Sequence, residues 1–340
     1  MSITIALDAM GGDHGPDVVV PAAIRVLKEI AQLKLILVGD GALLEKQIQQ
    51  HHYRDDVRLL IQHTSQKVEM DELPSSALRN KKDSSMRISI NLVKEKQAQA
   101  CVSAGNTGAL MATARYVLKT LPGINRPALI CALPTINGHS HILDLGANVD
   151  STAEQLFQFA LMGSELVSAV DNLPKPRVAL LNVGEEEMKG CEVVKEAAQL
   201  IAASDLNYIG FVEGDDIYRG TADVIVCDGF VGNVALKTSE GVAMLIRHFM
   251  QKELNHNFWR KFLGLMMLPA LRSLRAKIDP RRYNGASLVG LQGIVIKSHG
   301  DADVLAFSNA IKVACKEVEQ ALPDRISSHL EQAFLKRQQA

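Results

Sequence analysis

Four stretches of this chain join a short apolar run to a loop rich in glycine, asparagine and aspartate, and then to a helical pattern. The first carries Asp8, Gly11, Gly12, Asp13 and His14 ahead of a helical run from Val18 to Ile30. The second, Ser103-Ala104-Gly105-Asn106-Thr107-Gly108, precedes Ala109 to Leu118. The third, Asp144-Leu145-Gly146-Ala147-Asn148, precedes Ser151 to Met162, and the fourth, Asp228-Gly229-Phe230-Val231-Gly232-Asn233, precedes Val234 to Phe249. Glycine lets a backbone approach a ligand closely, while a helix N-terminus offers unpaired N–H groups and the positive end of its dipole. Such a loop is a ready cradle for an anion.

Any one of these loops is equally well explained as an ordinary strand-to-helix turn, because Gly, Asn and Asp cap helices and tolerate left-handed backbone. Four together favour a shared anion site, since strand C-termini in an open parallel sheet face one crevice. Standard signatures give no alternative. G-x-x-x-x-G-K-[ST] is absent, Val38-Gly39-Asp40-Gly41 lacks the third glycine of a dinucleotide loop, and Gly285-Ala286-Ser287-Leu288-Val289-Gly290 is one residue too long for a nucleophile elbow. His14, His139, His141 and His299 form no metal-ligand spacing, so neither a metal nor a cofactor is expected. Asp8, Asp144 and Asp228 read as turn and capping residues, with a carboxylate cluster holding Mg²⁺ as the alternative.

The elements that must position these loops alternate. Ile3 to Leu7, Lys34 to Val38, Val57 to Gln62, Ala100 to Ser103, Ala128 to Leu133, His141 to Leu145, Arg177 to Val183, Tyr208 to Val212, Val224 to Cys227 and Gly293 to Lys297 predict strands, with helical patterns between most of them. The expectation is a three-layer α/β/α fold around a mostly parallel, doubly wound sheet, with residues 1–340 forming one domain. Leu73 to Ser85 reads as a turn-rich, mobile connection.

At 340 residues with 47% hydrophobic content the chain has ample material for a core. Met1 to Asp8 lacks the basic and apolar regions of a secretory signal, and no run of 18 apolar residues follows, so the cytoplasm is expected. Five cysteines (Cys101, Cys131, Cys191, Cys227, Cys315) are scattered without a C-x-x-C pair and read as core residues. A formal charge of −1 offers no footprint for nucleic acid. The charge is uneven, however. Lys252, Arg260, Lys261, Arg272, Arg275, Lys277, Arg281 and Arg282 face only Glu253 and Asp279 across residues 252–282, a local net of +6. Phe258, Trp259, Phe262, Leu265 and Met266 precede Pro269, and Leu271, Leu274 and Ile278 follow it, so residues 250–282 predict a kinked, basic, amphipathic helical excursion. Its surface suits an anionic membrane or an acidic partner; packing on the body or on a second subunit is the plainer reading.

Seven blocks then carry a resemblance. Asp8 to Pro16, Ser103 to Gly108, Gly123 to Ala128, Asp144 to Asn148, Asn182 to Glu186, Gly232 to Lys237 with Glu240-Gly241, and Asn284 through Leu291 to His299–Asp303 resemble, in order, the bacterial acyl-ACP:phosphate acyltransferases (PlsX family) of phospholipid synthesis. The resemblance implies reversible transfer of a long-chain fatty acyl group from acyl carrier protein to inorganic phosphate. The acyl phosphate would serve a membrane glycerol-3-phosphate acyltransferase. It also implies a homodimer, peripherally associated with the inner face of the cell membrane, with the fold of the isocitrate and isopropylmalate dehydrogenases and of phosphotransacetylase. A phosphate acetyltransferase acting on acyl-CoA, or a non-catalytic membrane scaffold for lipid synthesis, are the alternatives.

Such chemistry needs no Ser or Cys nucleophile, because phosphate is itself one; it needs an anion cradle and donors for an oxyanion. Backbone amides of Gly105 to Gly108 and of Gly232-Asn233, with Ser103, Asn106, Thr107 and Lys237, are expected to supply these. Gly11, Gly12, Asn148 and Asn284 are expected to line the same phosphate or acyl site. Asp13 and His14 would orient phosphate or protonate the departing thiol, and the block from Asn284 to Asp303 would close the site with His299 as its acid-base group. Arg260, Lys261, Arg272, Arg275, Lys277, Arg281 and Arg282 would meet the carrier or the membrane.

Overall fold

The computed structural model describes residues 2–53, 56–254, 256–271, 273 and 279–339. Eleven strands form one sheet: β1 (Ile3–Asp8), β2 (Leu33–Gly39), β3 (Leu59–His63), β4 (Ala100–Ser103), β5 (Ala128–Thr135), β6 (Gly138–Leu143), β7 (Arg177–Leu181), β8 (Asn207–Val212), β9 (Val224–Val226), β10 (Ala286–Val289) and β11 (Ile294–Lys297). Their spatial order is β3-β2-β1-β4-β11-β10-β5-β6-β9-β7-β8. The ten expected strands are present with small shifts at their ends; β10 was not anticipated.

Most neighbouring strands are parallel, as expected, but β10 is antiparallel to both β11 and β5, and β5 is antiparallel to β6. The outcome is two blocks of opposite direction. β1, β2, β3, β4, β11 and β5 run one way, while β10, β6, β9, β7 and β8 run the other. The reversal comes from a tight hairpin in which Thr135 pairs with Gly138 across Ile136 and Asn137, and Gly138 takes φ +124°, open to glycine alone without strain.

Helices cover both faces. One core layer holds Ala6, Cys101, Leu129, Ile142, Ile225 and Val295; the alternate residues of the same strands, such as Ile5, Val102, Ile130, Leu143, Val224 and Ile296, build the two clusters on the opposite face. The longest buried helix, α6 (Ala153–Asp171), starts on a capping box between Thr152 and Gln155 and buries Phe157, Phe159 and Met162. The stretch from Leu73, expected as irregular, instead contains α3 (Pro74–Asn80), whose Pro74 occupies the first turn, where its missing N–H costs nothing.

The expected excursion begins earlier than residue 250. In α9 (Gly229–Leu254) only Gly229 and Gly232 are buried, and Val242, Met244, Leu245, Ile246 and Phe249 are all exposed. Helix α10 (Phe258–Met266) follows, with Phe258, Trp259, Leu265 and Met266 exposed, and it ends three residues before Pro269. Arg272, Arg275 and Lys277 lie outside the described residues.

Candidate functional site

The four loops do not share one edge of the sheet. The first two leave the C-termini of β1 and β4, whereas the third and fourth leave the C-termini of β6 and β9, which point the opposite way. The expectation of one crevice fails because it assumed a uniformly parallel sheet.

The third and fourth loops buttress each other. Asp144 is buried and accepts from the backbone N–H groups of Leu129, Ala147 and Asn148 and from the Asn148 side chain. Asn148 also donates to the Pro127 carbonyl, which spends its amide on structure. A Cβ on Gly232 would fall 1.9 Å from the Asp144 carbonyl oxygen, and one on Gly229 2.6 Å from that of Asn148. These glycines let the root of α9 press onto a loop. The capping reading of Asp144 and Asp228 holds: Asp228 accepts from the Val231 N–H in the first turn of α9. Asn233 is exposed beside Gly146.

At the other edge, Asp8, Ser103 and Lys297 stand side by side on three adjacent strands in matching register. They extend the face that carries Ala6, Cys101 and Val295. Ser103 Oγ donates to Asp8 Oδ2 at 2.6 Å and accepts from the Gly105 N–H at 3.1 Å, tying the first loop to the second. Gly11 is required here, because a Cβ would sit 2.5 Å from Asp8 Oδ2. Burial pushes the Asp8 carboxyl up, partly offset by the hydrogen bond from Ser103 and by the nearby Ser85 hydroxyl and Met10 and Gly11 amides. Its Oδ1 is buried with no hydrogen-bond partner among the described residues.

Lys297 is the group that the sequence reading missed. It is 8% exposed, and its ammonium donates to the Ala104 carbonyl at 3.3 Å and to the Ser298 carbonyl. Burial pulls its pKa down to about 8; Asp8 and Asp13 oppose that shift, and Lys237 adds to it. The signal was available: Val295 and Lys297 alternate on an apolar strand, so the lysine had to face the core layer. A lysine and a carboxyl buried as neighbours are costly to fold and are characteristic of working sites.

Lys237 reaches this edge from the far side. Ala235 and Leu236 pack on the same core layer as the row of three. Lys237 Nζ donates to Glu240 Oε2 at 2.8 Å and meets His299 Nε2 at 3.3 Å. On its other side His299 Nδ1 pairs with Asp301. His299 thus bridges Lys237 on its Nε2 side and Asp301 on its Nδ1 side. Asn284 holds the His299 N–H at 3.0 Å and donates to Ser298 Oγ and the Ala306 carbonyl. The Gly300 carbonyl accepts from the Asp13 N–H at 2.9 Å, which ties the C-terminal block to the first loop.

Several other expected site residues also make structural contacts. Asn106 caps α5 (Thr107–Leu118) by accepting from the Ala109 N–H, and donates to the Met70 and Glu72 carbonyls. Gly108 makes room for Pro74. Thr107, Asp13 and His14 are exposed, and Gly12 at φ +82° turns the first loop against Ala104 and Gly300. Arg281 is held by Asp279 and by Asp303 at 2.7 Å, and Arg260 pairs with Glu253, while Lys261 and Arg282 are exposed. His139 and His141, read as forming no metal-ligand spacing, share one face of β6 and meet Asp171, since residues i and i+2 of a strand point the same way. Burial pushes the Cys131 and Cys315 thiols up to about 12, and Cys101 and Cys227 higher still. These four thiols are not nucleophiles.

The arrangement offers two lysines and an imidazole beside a glycine-rich turn, on a surface that also carries carboxylates. It can attract an anion, donate to a developing oxyanion and supply a proton. The model of a fatty acid synthesis protein family matches residues 3–325. A phosphate acyltransferase of Nitrosococcus oceani is 62% identical over 331 residues, covering 97% of each chain, and one of Methylococcus capsulatus is 58% identical over 334 residues, covering 98% of each. Among solved structures, a phosphotransacetylase from Streptococcus pyogenes aligns with a TM-score of 0.65 at 18% identity over 94% of both chains, a likeness of fold. From the match along nearly its whole length, the chain belongs to the fatty acid synthesis protein family, that of the phosphate acyltransferases.

Proposed function

We propose that the chain transfers a long-chain fatty acyl group from the thioester of acyl carrier protein to inorganic phosphate, giving acyl phosphate and free carrier thiol. The observation that carries this reading is the convergence of Lys237 and His299 on the edge where Lys297 sits beside Asp8 and Ser103. The names of the full-length relatives support the acceptor.

Phosphate oxygen attacks the thioester carbonyl carbon, the C–O bond forms, and the C–S bond breaks with its electron pair leaving on sulfur. Lys297 and the amides of the Gly105 turn draw the phosphate in. Lys237 donates to the oxyanion as it forms, an interaction worth most where water is excluded. The departing sulfur takes its proton from the Lys237–His299 pair. Asp301 holds His299 in orientation, and Glu240 holds Lys237.

Acyl carrier protein as donor draws support from the local charge of +6 in residues 252–282, where Lys261 and Arg282 are exposed to an acidic partner. The apolar surface of α9 and α10 supports contact with an anionic membrane, or with a second copy in a homodimer. No described helix is long and apolar enough to cross a membrane. A membrane acyltransferase that loads glycerol 3-phosphate is the expected consumer of the product.

The test is release of carrier thiol from palmitoyl-acyl carrier protein with and without phosphate, trapping acyl phosphate with hydroxylamine, and repeated with palmitoyl-CoA. Phosphate-dependent release from the carrier alone is expected. Release without phosphate makes the protein a thioesterase, and preference for the CoA ester moves it to the phosphotransacetylase reaction.

A further inference from the structure

On the sheet face opposite Lys237, the first half of β6 meets the C-terminal end of α6. His139 and His141 alternate along the strand and point with Leu143 toward the α6 layer. Asp171, the last residue of α6, projects between them. His139 Nε2 lies 2.9 Å and His141 Nδ1 3.6 Å from the same oxygen, Asp171 Oδ2. The three ligand atoms all fall within 4.8 Å of one another. Tetrahedral zinc with ligands at about 2.0–2.1 Å separates its donors by roughly 3.3 Å, and the two measured separations straddle that value.

We propose that His139, His141 and Asp171 form a binding site for a zinc-like divalent cation, with water completing the coordination. Two imidazoles and one carboxylate suit a borderline metal such as Zn²⁺ or Co²⁺ and are poor for Ca²⁺ or Mg²⁺, which prefer all-oxygen shells. The imidazole rings stand edge-on at 75° with centroids 5.1 Å apart, so their nitrogens reach one point without stacking. The site has a fixed floor and an open mouth, because His141 is buried while His139 is about one-third exposed. Backbone support is present: the His141 N–H donates to the Asp223 carbonyl, setting the height of the strand.

One group opposes the cation. Lys316 Nζ lies 3.7 Å from Asp171 Oδ1, on a side chain that is half exposed. Its long stem lets the ammonium swing into water, so metal uptake exchanges the partly exposed Lys316–Asp171 pair and the His139–Asp171 hydrogen bond for three coordination bonds. Three protein ligands leave a position open, yet the cluster lies on the other face from the acyl-transfer residues. It anchors the end of α6 to β6 and takes no part in the transfer.

The test uses the full-length protein stripped with a chelator and dialysed. Titration with Co²⁺ should give one site per chain with the visible absorption of a four-coordinate ion, and Zn²⁺ should displace it. His139→Ala and Asp171→Asn should each weaken binding at least about tenfold. Both variants should keep the circular dichroism spectrum and the acyl-transfer rate. If the wild type binds no more cobalt than His139→Ala, the cluster is only a hydrogen-bonded clamp and the proposal is wrong. The proposal fails equally if cobalt binds but neither substitution alters the absorption.

Discussion

Glu317 lies in α11 (Val304–Glu319), 3% exposed, and accepts a hydrogen bond from the Ser287 hydroxyl of β10. Burial pushes its carboxyl from 4.5 up to about 8, and the bond from Ser287 offsets only part of that. The folded-state value is the raised one. Stability from this group is therefore complete below the ordinary carboxyl range and is lost as pH rises through about 8. The unfolded chain ionises freely over that interval while the folded chain holds its proton. The lost stability grows from about 1 kcal/mol near pH 5.5 to about 5 kcal/mol near pH 9, because each pH step between the two pKa values costs about 1.4 kcal/mol. Glu317→Gln keeps the shape and the acceptor for Ser287 but cannot ionise. Its stability relative to wild type should thus rise by about 3–4 kcal/mol across the same interval. Urea unfolding of both proteins at several pH values, followed by circular dichroism, measures the difference; any fixed cost of the amide cancels in the slope. A variant whose stability runs parallel to wild type from about pH 5.5 to about pH 9 would refute the reasoning.

Four further variants test the site and the fold around it. Lys237→Ala should lower kcat by about 10²–10³ with little change in KM for phosphate, because its donor acts on charge that develops only in the transition state. Lys297→Met should raise KM for phosphate about tenfold or more, the worth of a hydrogen bond to a charged group. The wild-type KM should rise as pH passes about 8, where Lys297 loses its charge, and the variant should lack that inflection in steady-state assays. Gly232→Ala should destabilise the fold by about 1–3 kcal/mol in thermal unfolding because its Cβ collides with the Asp144 carbonyl. Asn233→Ala should leave turnover within about twofold, as befits an exposed side chain outside the site.

The alternating strands and helices were legible because apolar runs and capping residues mark them locally. Direction was not legible from those runs. The local clue to the reversal is Asn137-Gly138 between two strand-like segments, a hairpin signal that the sequence reading did not use. From that followed the expectation that Asn148, Gly232 and Asn233 share an edge with Gly105, whereas they follow strands of the opposite direction. Lys237, His299 and Asn284 were legible as a group only through the resemblance, since 62 residues separate Lys237 from His299. Lys297 was overlooked although its alternation with Val295 puts it on the core face; what it meets there follows only from its register with Ser103 and Asp8. Ser103 stands in the row with Asp8 and Lys297, but its hydroxyl is occupied by Asp8 and the Gly105 amide. Composition cannot reveal that a donor is already engaged.

The first turns of α9 obey a rule that the rest of the helix escapes. Gly232 must touch Asp144 and, five residues on, Lys237 must touch His299, so the segment between them is fixed in phase as well as in length. Inserting or deleting one residue there would rotate Lys237 by about 100° around the helix axis and remove it from the imidazole. Beyond Gly241, where a Cβ would meet nothing within 4 Å, the same change merely re-aims an exposed arm. Natural length variation should accordingly be absent before Glu240 and tolerated after it, dividing one continuous helix into a part that keeps time with the chemistry and a part free to drift.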